Sequence, residues 1–301
     1  MEANSFNDVK EKISSAAFSK SGNCFLLIDA SLKDYQTESF LSDTLRDYKS
    51  YSIIFHHKQI QGALPLYLFP LDKLSEKDDR LFNNSIQHSL SELKQEKLEA
   101  GEGRSVCAWI STNLAGEQLA EQIALTTVQP TQSVGNILIR YFDPSVFGLL
   151  IPVLDKWQKE QLLSNINTWS YLNGDGVVHT MNGDGECRKK LNHSLGLTDR
   201  NVSEINFILF INKILRVYRN TYTIHKLSEC EAGELLRPAL AYYYSSFSPS
   251  ESDVIEFGLD VLSTERLFYL DGLLFKYMLN RHSKEYEAYK DIKTKIDNLI
   301  H

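Results

Sequence analysis

The sequence has no excess of basic residues. Its 301 residues include 32 Lys and Arg against 39 Asp and Glu, which gives a formal net charge of -7. Neither half is basic, since residues 1–165 hold 16 basic and 21 acidic side chains and residues 166–301 hold 16 and 18. A nucleic-acid-binding protein needs a positive surface to displace counterions from the phosphates. The charge balance therefore disfavours a nucleic-acid partner.

Cysteine is scarce, and the cysteines are scattered. The four cysteines are Cys24, Cys107, Cys187 and Cys230, and they form no Cys-x-x-Cys pair. This spacing argues against a zinc site and against a dense disulfide framework. Isolated cysteines at this frequency suit a reducing compartment.

Long apolar runs are missing as well. The longest apolar stretches, such as residues 63–71, are about eight to ten residues, whereas a membrane-spanning helix needs about 20. The first residues are polar, without the basic and then apolar segments of a signal peptide. We therefore expect a cytoplasmic protein with no membrane partner.

Several signatures of catalysis are absent from the sequence. It contains no G-x-x-x-x-G-K-[ST], no G-x-G-x-x-G, no H-E-x-x-H and no G-x-S-x-G motif. His56 and His57 are adjacent at the end of a predicted strand, where neighbouring side chains point to opposite faces and cannot easily share a metal. These histidines thus predict no metal site, and the sequence predicts no cofactor. Asp29, at the end of a buried strand, is the candidate carboxylate if the protein is a hydrolase that also uses a histidine. The alternative, which the lack of a second acid at a telling spacing favours, is a structural role as a cap or in a turn.

What the sequence does contain is the composition of a protein with a large core. Hydrophobic residues make up 43% of the chain, with 15 Tyr, 15 Phe and 3 Trp. Apolar strand patterns alternate with helical patterns up to about residue 165, Asn- and Gly-rich hairpin patterns follow, and helical periodicity dominates from about 200. We predict an α+β fold with a mixed α/β lobe around a central sheet (1–165), a β-hairpin connector (166–199) and an all-helical lobe (200–301).

Local signals predict where several helices begin. Asn201-x-x-Glu204 and Ser228-x-x-Glu231 are capping boxes. Asp143-Pro144 predicts a helix start, because Asp accepts from free N–H groups and Pro suits the first turn. Ser111 or Thr112 is a candidate cap for the helix that follows the strand at 106–110.

A short repeat lies in the predicted connector. Asn173-Gly-Asp-Gly176 recurs nine residues later as Asn182-Gly-Asp-Gly185. Asp oxygens and Gly turns suit calcium, so one interpretation is a calcium site. The other is a pair of hairpin turns that need positive φ angles.

The stretch from Arg140 to Pro144 carries the most information. We predict a strand over 134–142 in which Arg140 and Phe142 share one face and Tyr141 lies on the other. An arginine in an apolar strand needs a carboxylate or several carbonyls, and Asp29 and Asp143 are the candidate partners. Arg140 then either forms an internal ion pair that fixes the lobe or reaches a bound peptide.

At this stretch the chain resembles the type VI secretion effector adaptors, the Tap/TEC chaperone family. Residues 137–154 (ILIRYFDPSV, then LLIPVL) are similar to that family's LLRFYDPRVL…LLPxL signature. Four further blocks follow the family's order: FLLIDA at 25–30, ALPLYLFPL at 63–71, WISTNLAGEQL at 109–119 and WSY at 169–171. Together the blocks span about residues 24–172, roughly half of the chain.

The resemblance implies a protein without catalytic activity that binds one toxic effector and helps to load it onto the VgrG spike. The implied partners are the effector, through its N-terminal region, and VgrG. The family-motif residues, with a structural or an effector-binding role, are Asp29, Trp109, Arg140, Tyr141, Asp143, Pro144 and Trp169. Two alternatives stay open: an immunity protein that binds a toxin, and an uncharacterised hydrolase.

Overall fold

The structure is a computed structural model. It describes residues 5–18, 22–32, 40–46, 48–55, 64–72, 75–186, 192–221, 227–247, 249–264, 268–270, 288–291 and 293–294. Contacts divide the chain into two compact units, Met1–Val202 and Ser203–His301. His56, His57, Cys187 and most of the helix expected near the C-terminus lie outside the described residues.

The first unit contains a six-stranded sheet in which every neighbouring pair is antiparallel, with strand order β2-β3-β1-β4-β7-β8. Its strands are β1 (Asn23–Asp29), β2 (Tyr51–Ser52), β3 (Leu66–Leu71), β4 (Val106–Thr112), β7 (Ile166–Leu172) and β8 (Val178–Asn182). All seven residues of β4 and of β7 are buried, as are six of the seven in β1. Burial on both faces explains the continuous apolar runs at 24–28 in β1 and 106–110 in β4, whereas β7 also buries Asn167, Thr168 and Ser170.

Seven α-helices in the described residues of the first unit accompany the sheet. They are α1 (Phe6–Ala17), α2 (Phe40–Leu45), α3 (Glu76–Glu92), α4 (Gln95–Ala100), α5 (Gly116–Thr127), α6 (Pro144–Leu150) and α7 (Lys156–Leu162). One face of the sheet forms a core with α1 and α3, which includes Val9, Ile13, Leu26, Leu81 and Trp109. A separate two-stranded hairpin, β5 (Val128–Thr131) with β6 (Gly135–Leu138), lies between α5 and α6 in the chain.

The second unit is helical throughout its described part. Its long helices are α8 (Asp199–Thr221, which begins before the boundary), α9 (Glu229–Ser246) and α10 (Glu251–Thr264). The rings of Tyr243 and Phe257 stack with centroids 4.3 Å apart and form the centre of the packing between α9 and α10. The α+β class is thereby confirmed. None of the helices in the described ranges has the length and apolar character needed to cross a bilayer.

The helix-start predictions have mixed outcomes. The Ser228 capping box and the Asp143-Pro144 start are confirmed. The Asn201 box is wrong, because Thr198 exchanges hydrogen bonds with Asn201 and α8 begins directly after it. The predicted cap at Ser111 or Thr112 is also wrong, since both residues continue β4 and the N-cap of α5 is Ala115.

Two strand predictions need correction. The strand expected over 134–142 ends at Leu138, because the N–H of Asp143 donates to the carbonyl of Arg140 and closes a turn. Arg140 and Phe142 therefore do not share the face of a strand. The hairpin expected from 166 is present. It is part of the six-stranded sheet and not a separate connector, because β7 pairs with β4 and β8 pairs with β7.

Candidate functional site

All of the family-motif residues except Trp109 lie near the point where β1 ends and the turn before α6 begins. Asp29 is the last residue of β1, and only 1% of its surface is exposed. Arg140 lies in the turn and donates from Nη2 to Asp29 Oδ2 at 2.8 Å. The same nitrogen is 3.7 Å from Asp143 Oδ2. Both ion-pair partners expected from the sequence are therefore confirmed, although the backbone that presents Arg140 is a turn.

Each carboxylate of this cluster also accepts hydrogen bonds from the residue two positions later in the chain. Asp29 Oδ1 accepts from the backbone N–H and the hydroxyl of Ser31, which closes the loop after β1. Asp143 Oδ1 accepts from the N–H of Ser145 and caps α6, with Pro144 in its first turn. Arg140 thus joins the end of a central strand to the start of a helix, and a third of its side chain (33%) is exposed.

An aromatic cluster continues from the same turn. The Tyr141 ring lies 5.7 Å from Trp169 on β7, and Phe147 of α6 stacks on Trp169 at 5.3 Å with an interplanar angle of 19°. Phe147 also meets Tyr171 edge-on at 5.2 Å. Burial raises the pKa of Tyr141 far above its ordinary value, so this hydroxyl stays protonated. The Nε1 of Trp169 is buried without a hydrogen-bond partner among the described residues.

Trp109 lies on the opposite face of the sheet. Its side chain is fully buried in the core formed with α1 and α3. Its Nε1 donates to the hydroxyl of Ser85 on α3 at 3.0 Å. The structure therefore groups Arg140, Tyr141, Asp143, Pro144 and Trp169 with Asp29, while Trp109 belongs to a different core.

The sequence analysis missed a second buried polar network beside the first. Glu92, at the end of α3, is 1% exposed and accepts from the backbone N–H of Ser105 at 2.6 Å and of Val106 at 3.4 Å. These amides precede a bulge, because Leu27 pairs with Ala108 and Ile28 with Val106, which leaves Cys107 without a partner in β1. Glu92 thus satisfies amides that the bulge withdraws from the ladder.

The two networks share Ser105. Its carbonyl accepts from the backbone N–H of Asp29 at 2.9 Å, while its N–H and hydroxyl donate to Glu92. Arg104, next along the chain, is buried and donates to the carbonyl of Leu172 at the end of β7. Buried charges are therefore concentrated where β1, β4 and α3 meet.

Ser105, His88 and Glu92 are the residue types of a hydrolytic triad, but their geometry differs from one. In a triad one ring nitrogen of histidine faces the serine and the other faces the acid. Here Nε2 of His88 lies 3.1 Å from the Ser105 hydroxyl and also 3.4 Å from Glu92 Oε1. The Ser105 hydroxyl itself donates to Glu92, and Ser105 is fully buried. This arrangement supports the bulge and presents no accessible nucleophile.

The first Asn-Gly-Asp-Gly segment forms the tight turn between β7 and β8. The second follows β8 without forming a hairpin turn, and the N–H groups of Gly183 and Gly185 donate to the carbonyls of Asn167 and Ile166. Gly176 and Gly185 have φ angles of +72° and +62°, a region that favours glycine. Asn173 Oδ1 accepts from the N–H groups of Asp175 and Val177, and so stabilises the first turn. Within the described ranges, no group of three or more His, Cys, Asp or Glu side chains is arranged to hold a metal ion.

We expect the described cysteines to differ strongly in reactivity. Burial raises the pKa of Cys24 to about 12 and the pKa of Cys107 well above its ordinary value. At pH 8 only about one Cys24 in ten thousand is then a thiolate, the form that reacts with iodoacetamide. Cys230 is exposed, although burial and Glu234 raise its pKa too. Peptide mass spectrometry after brief labelling should find Cys230 alkylated and Cys24 and Cys107 unmodified.

Denatured protein is the control for this labelling, and all three thiols should then react. Labelling of Cys24 at the rate of Cys230 in the native protein would contradict the burial of β1. The labelling thus tests the packing around the strand that ends in Asp29.

No family model, curated protein or solved structure matches this chain. Its candidate site is therefore defined by its own sequence and geometry.

Proposed function

We propose that this protein is a non-enzymatic adaptor that binds a type VI secretion effector and helps to load it onto the VgrG spike. The observation that carries the proposal is the order of five sequence blocks between residues 24 and 172 that resemble the effector adaptors. The geometry supports it, because residues from three of these blocks are in contact: Asp29 from the first, Arg140 to Phe147 from the longest and Trp169 from the last.

The contacts also indicate what the motif does in such an adaptor. Arg140 forms ion pairs with Asp29 and Asp143, and Asp143 also caps the start of α6. Tyr141 and Trp169 are buried against one another. The motif therefore builds the scaffold, and the proposal assigns cargo recognition to other surfaces of the chain.

The proposal is tested by co-expressing the tagged chain with the toxin effector encoded beside it. We expect a stable complex in size-exclusion chromatography that forms through the N-terminal region of the effector. A strain that lacks the adaptor should still secrete the spike protein but should lose secretion of this effector. An effector with its own, different adaptor serves as the specificity control. Effector secretion that is unchanged in the deletion strain would overturn the proposal.

The same materials separate the adaptor from an immunity protein. Cells that express the active toxin domain should receive no protection from this chain, because the adaptor holds the delivery segment and not the active site. Protection at equal expression would favour the immunity alternative.

A further inference from the structure

The last strand of the sheet has one side without a neighbour in the described part of the chain. β8 pairs with β7 through its inner side and is the final strand in the sheet order. The N–H of Asn173 donates to the carbonyl of Val177 at one end of this pair, and the N–H of Gly183 donates to the carbonyl of Asn167 at the other. In an antiparallel pair, residues alternate between those whose backbone N–H and C=O groups bond to the partner strand and those whose backbone groups point away from it.

These two bonds fix the alternation along β8. Because the backbone groups of residues 177 and 183 point toward β7, those of His179 and Met181, at alternate positions between them, do so too. The backbone N–H and C=O groups that point away from the sheet belong to Val178, Thr180 and Asn182. Thr180 and Asn182 are exposed. The outer side of β8 thus presents evenly spaced donors and acceptors.

Within the described ranges, this side of β8 carries none of the usual protection of a sheet edge. Proteins blunt exposed edges with very short strands, charged side chains, proline or bulges. The opposite edge strand, β2, has only two residues. β8 has five residues, Val-His-Thr-Met-Asn, with no proline, no lysine and no carboxylate, and its register with β7 is regular.

A groove runs beside this edge, between β8 and α1. Its volume is about 780 Å³. It is lined by Asp8, Glu11, Lys12, Ser15 and Ala16 of α1 and by Val178 and Thr180 of β8. Two carboxylates against one amine make the α1 side acidic, and the β8 side is uncharged. The groove therefore suits an extended chain with small or apolar side chains and a basic side chain that faces α1.

We propose that the outer edge of β8 and the α1 groove together bind an extended segment of the cargo, which adds a seventh strand to the sheet and places a Lys or Arg near Asp8 and Glu11. Strand addition of this kind combines main-chain hydrogen bonds with pockets for alternate side chains. The inference rests on the proposed function, because that function supplies the cargo.

A second copy of this chain fits the edge less well. Pairing of β8 with β8 about a two-fold axis would bring two α1 helices to the same face of the joined sheet. The carboxylates of Asp8 and Glu11 would then meet their own copies, and like charges across an interface oppose association. The segment that binds is therefore assigned to the cargo.

The test compares two substitutions at one position. Thr180→Pro removes the outward N–H and blocks an added strand, while proline is tolerated where a strand's N–H faces solvent. Thr180→Val keeps the N–H, and both variants lose the same hydrogen bond to the Ser170 hydroxyl. We expect the effector complex to weaken at least tenfold in Thr180→Pro and to stay within twofold in Thr180→Val, as measured by calorimetry.

Amide hydrogen exchange tests the same surface in the unmodified protein. The amides of Val178, Thr180 and Asn182 should exchange rapidly in the free chain and become protected in the complex. The amides of His179 and Met181 should be slow in both states, because they bond to β7. Protection of the Thr180 amide in the free chain would overturn the proposal. So would light scattering that shows the unmodified chain to dimerise and Thr180→Pro to dimerise more weakly, because the edge would then bind a second copy of the chain.

A random twelve-residue peptide library displayed on phage separates this inference from the proposed function. Selected peptides should contain a Lys or Arg and bind Thr180→Val at least tenfold more tightly than Thr180→Pro. If such peptides bind but no effector complex forms, the edge stands as a docking surface and the adaptor function fails. If the effector binds both variants equally, the function stands and the edge inference is overturned. A library without Thr180-dependent peptides also overturns it.

Discussion

Replacing Arg140 with methionine should destabilise the first unit by about 3 kcal/mol, near the lower end of the cost of breaking a buried ion pair because a third of the arginine is exposed. The substitution keeps most of the apolar stem but leaves the Asp29 carboxylate, 1% exposed, without its cation. Urea unfolding followed by tryptophan fluorescence measures this change, since Trp109, Trp157 and Trp169 all lie in the first unit.

A double-mutant cycle then separates the ion pair from other losses. Asp29→Asn removes the charge with little change in shape, so Asp29→Asn with Arg140→Met should cost less than the sum of the two single changes. The matched control is Arg46, whose 2.9 Å bond to Asp43 is highly exposed. Arg46→Met should cost less than about 0.5 kcal/mol. Equal costs at Arg46 and Arg140 would contradict a buried role for the Asp29 pair.

The Arg140 cluster shows how far the sequence predicts this site. An arginine within an apolar stretch requires a buried partner, and that requirement alone selected Asp29 and Asp143. The local conformation was predicted wrongly because residues 137–142 are apolar and aromatic apart from Arg140, which is also the pattern of a strand. The turn depends on a hydrogen bond from Asp143 to the carbonyl of Arg140, which residue pattern does not reveal.

The Glu92 network could not be predicted for a related reason. A bulge at Cys107 creates the need for an acceptor, and bulges depend on the register of two strands distant in sequence. One signal was present in α3. Ser85, His88, Ser89 and Glu92 recur at helical spacing and are all buried, so they form a polar stripe on a face that packs inward. Such a stripe indicates polar partners in the core, which here are the Trp109 indole and the Ser105 hydroxyl and backbone N–H.

The hairpin at 166–182 shows the same division between local and long-range information. Its turn between β7 and β8 was predicted from Asn and Gly, and the positive φ of Gly176 fits that turn. Its place in the sheet follows from burial: all seven residues of β7 are covered, which requires neighbours on both faces. Only the pairing with β4 reveals that β8 becomes an edge strand.

Replacing Trp169 with alanine should have the largest effect, a loss of about 4 kcal/mol in the unfolding free energy of the first unit. Its ring is 2% exposed and contacts Phe147 and Tyr141, so its removal leaves a cavity between α6 and the sheet. The unpartnered Nε1 offsets part of the ring's contribution, because burial of an unsatisfied donor is costly. Urea unfolding followed by far-UV circular dichroism and by the remaining tryptophans measures the loss.

Trp157→Ala is the matched control, because Trp157 is the same residue type in the same unit but is 52% exposed. Its replacement should cost less than about 1 kcal/mol. Trp169→Phe should recover about half of the loss, since phenylalanine restores part of the stacking area and removes the unsatisfied N–H. A phenylalanine variant as unstable as alanine would mean that the indole shape, and not aromatic burial, holds α6 against β7. Because α6 begins at the Asp143 cap, such a result would also mean that the Trp169 ring contributes more than the Asp143 cap to holding α6 in place.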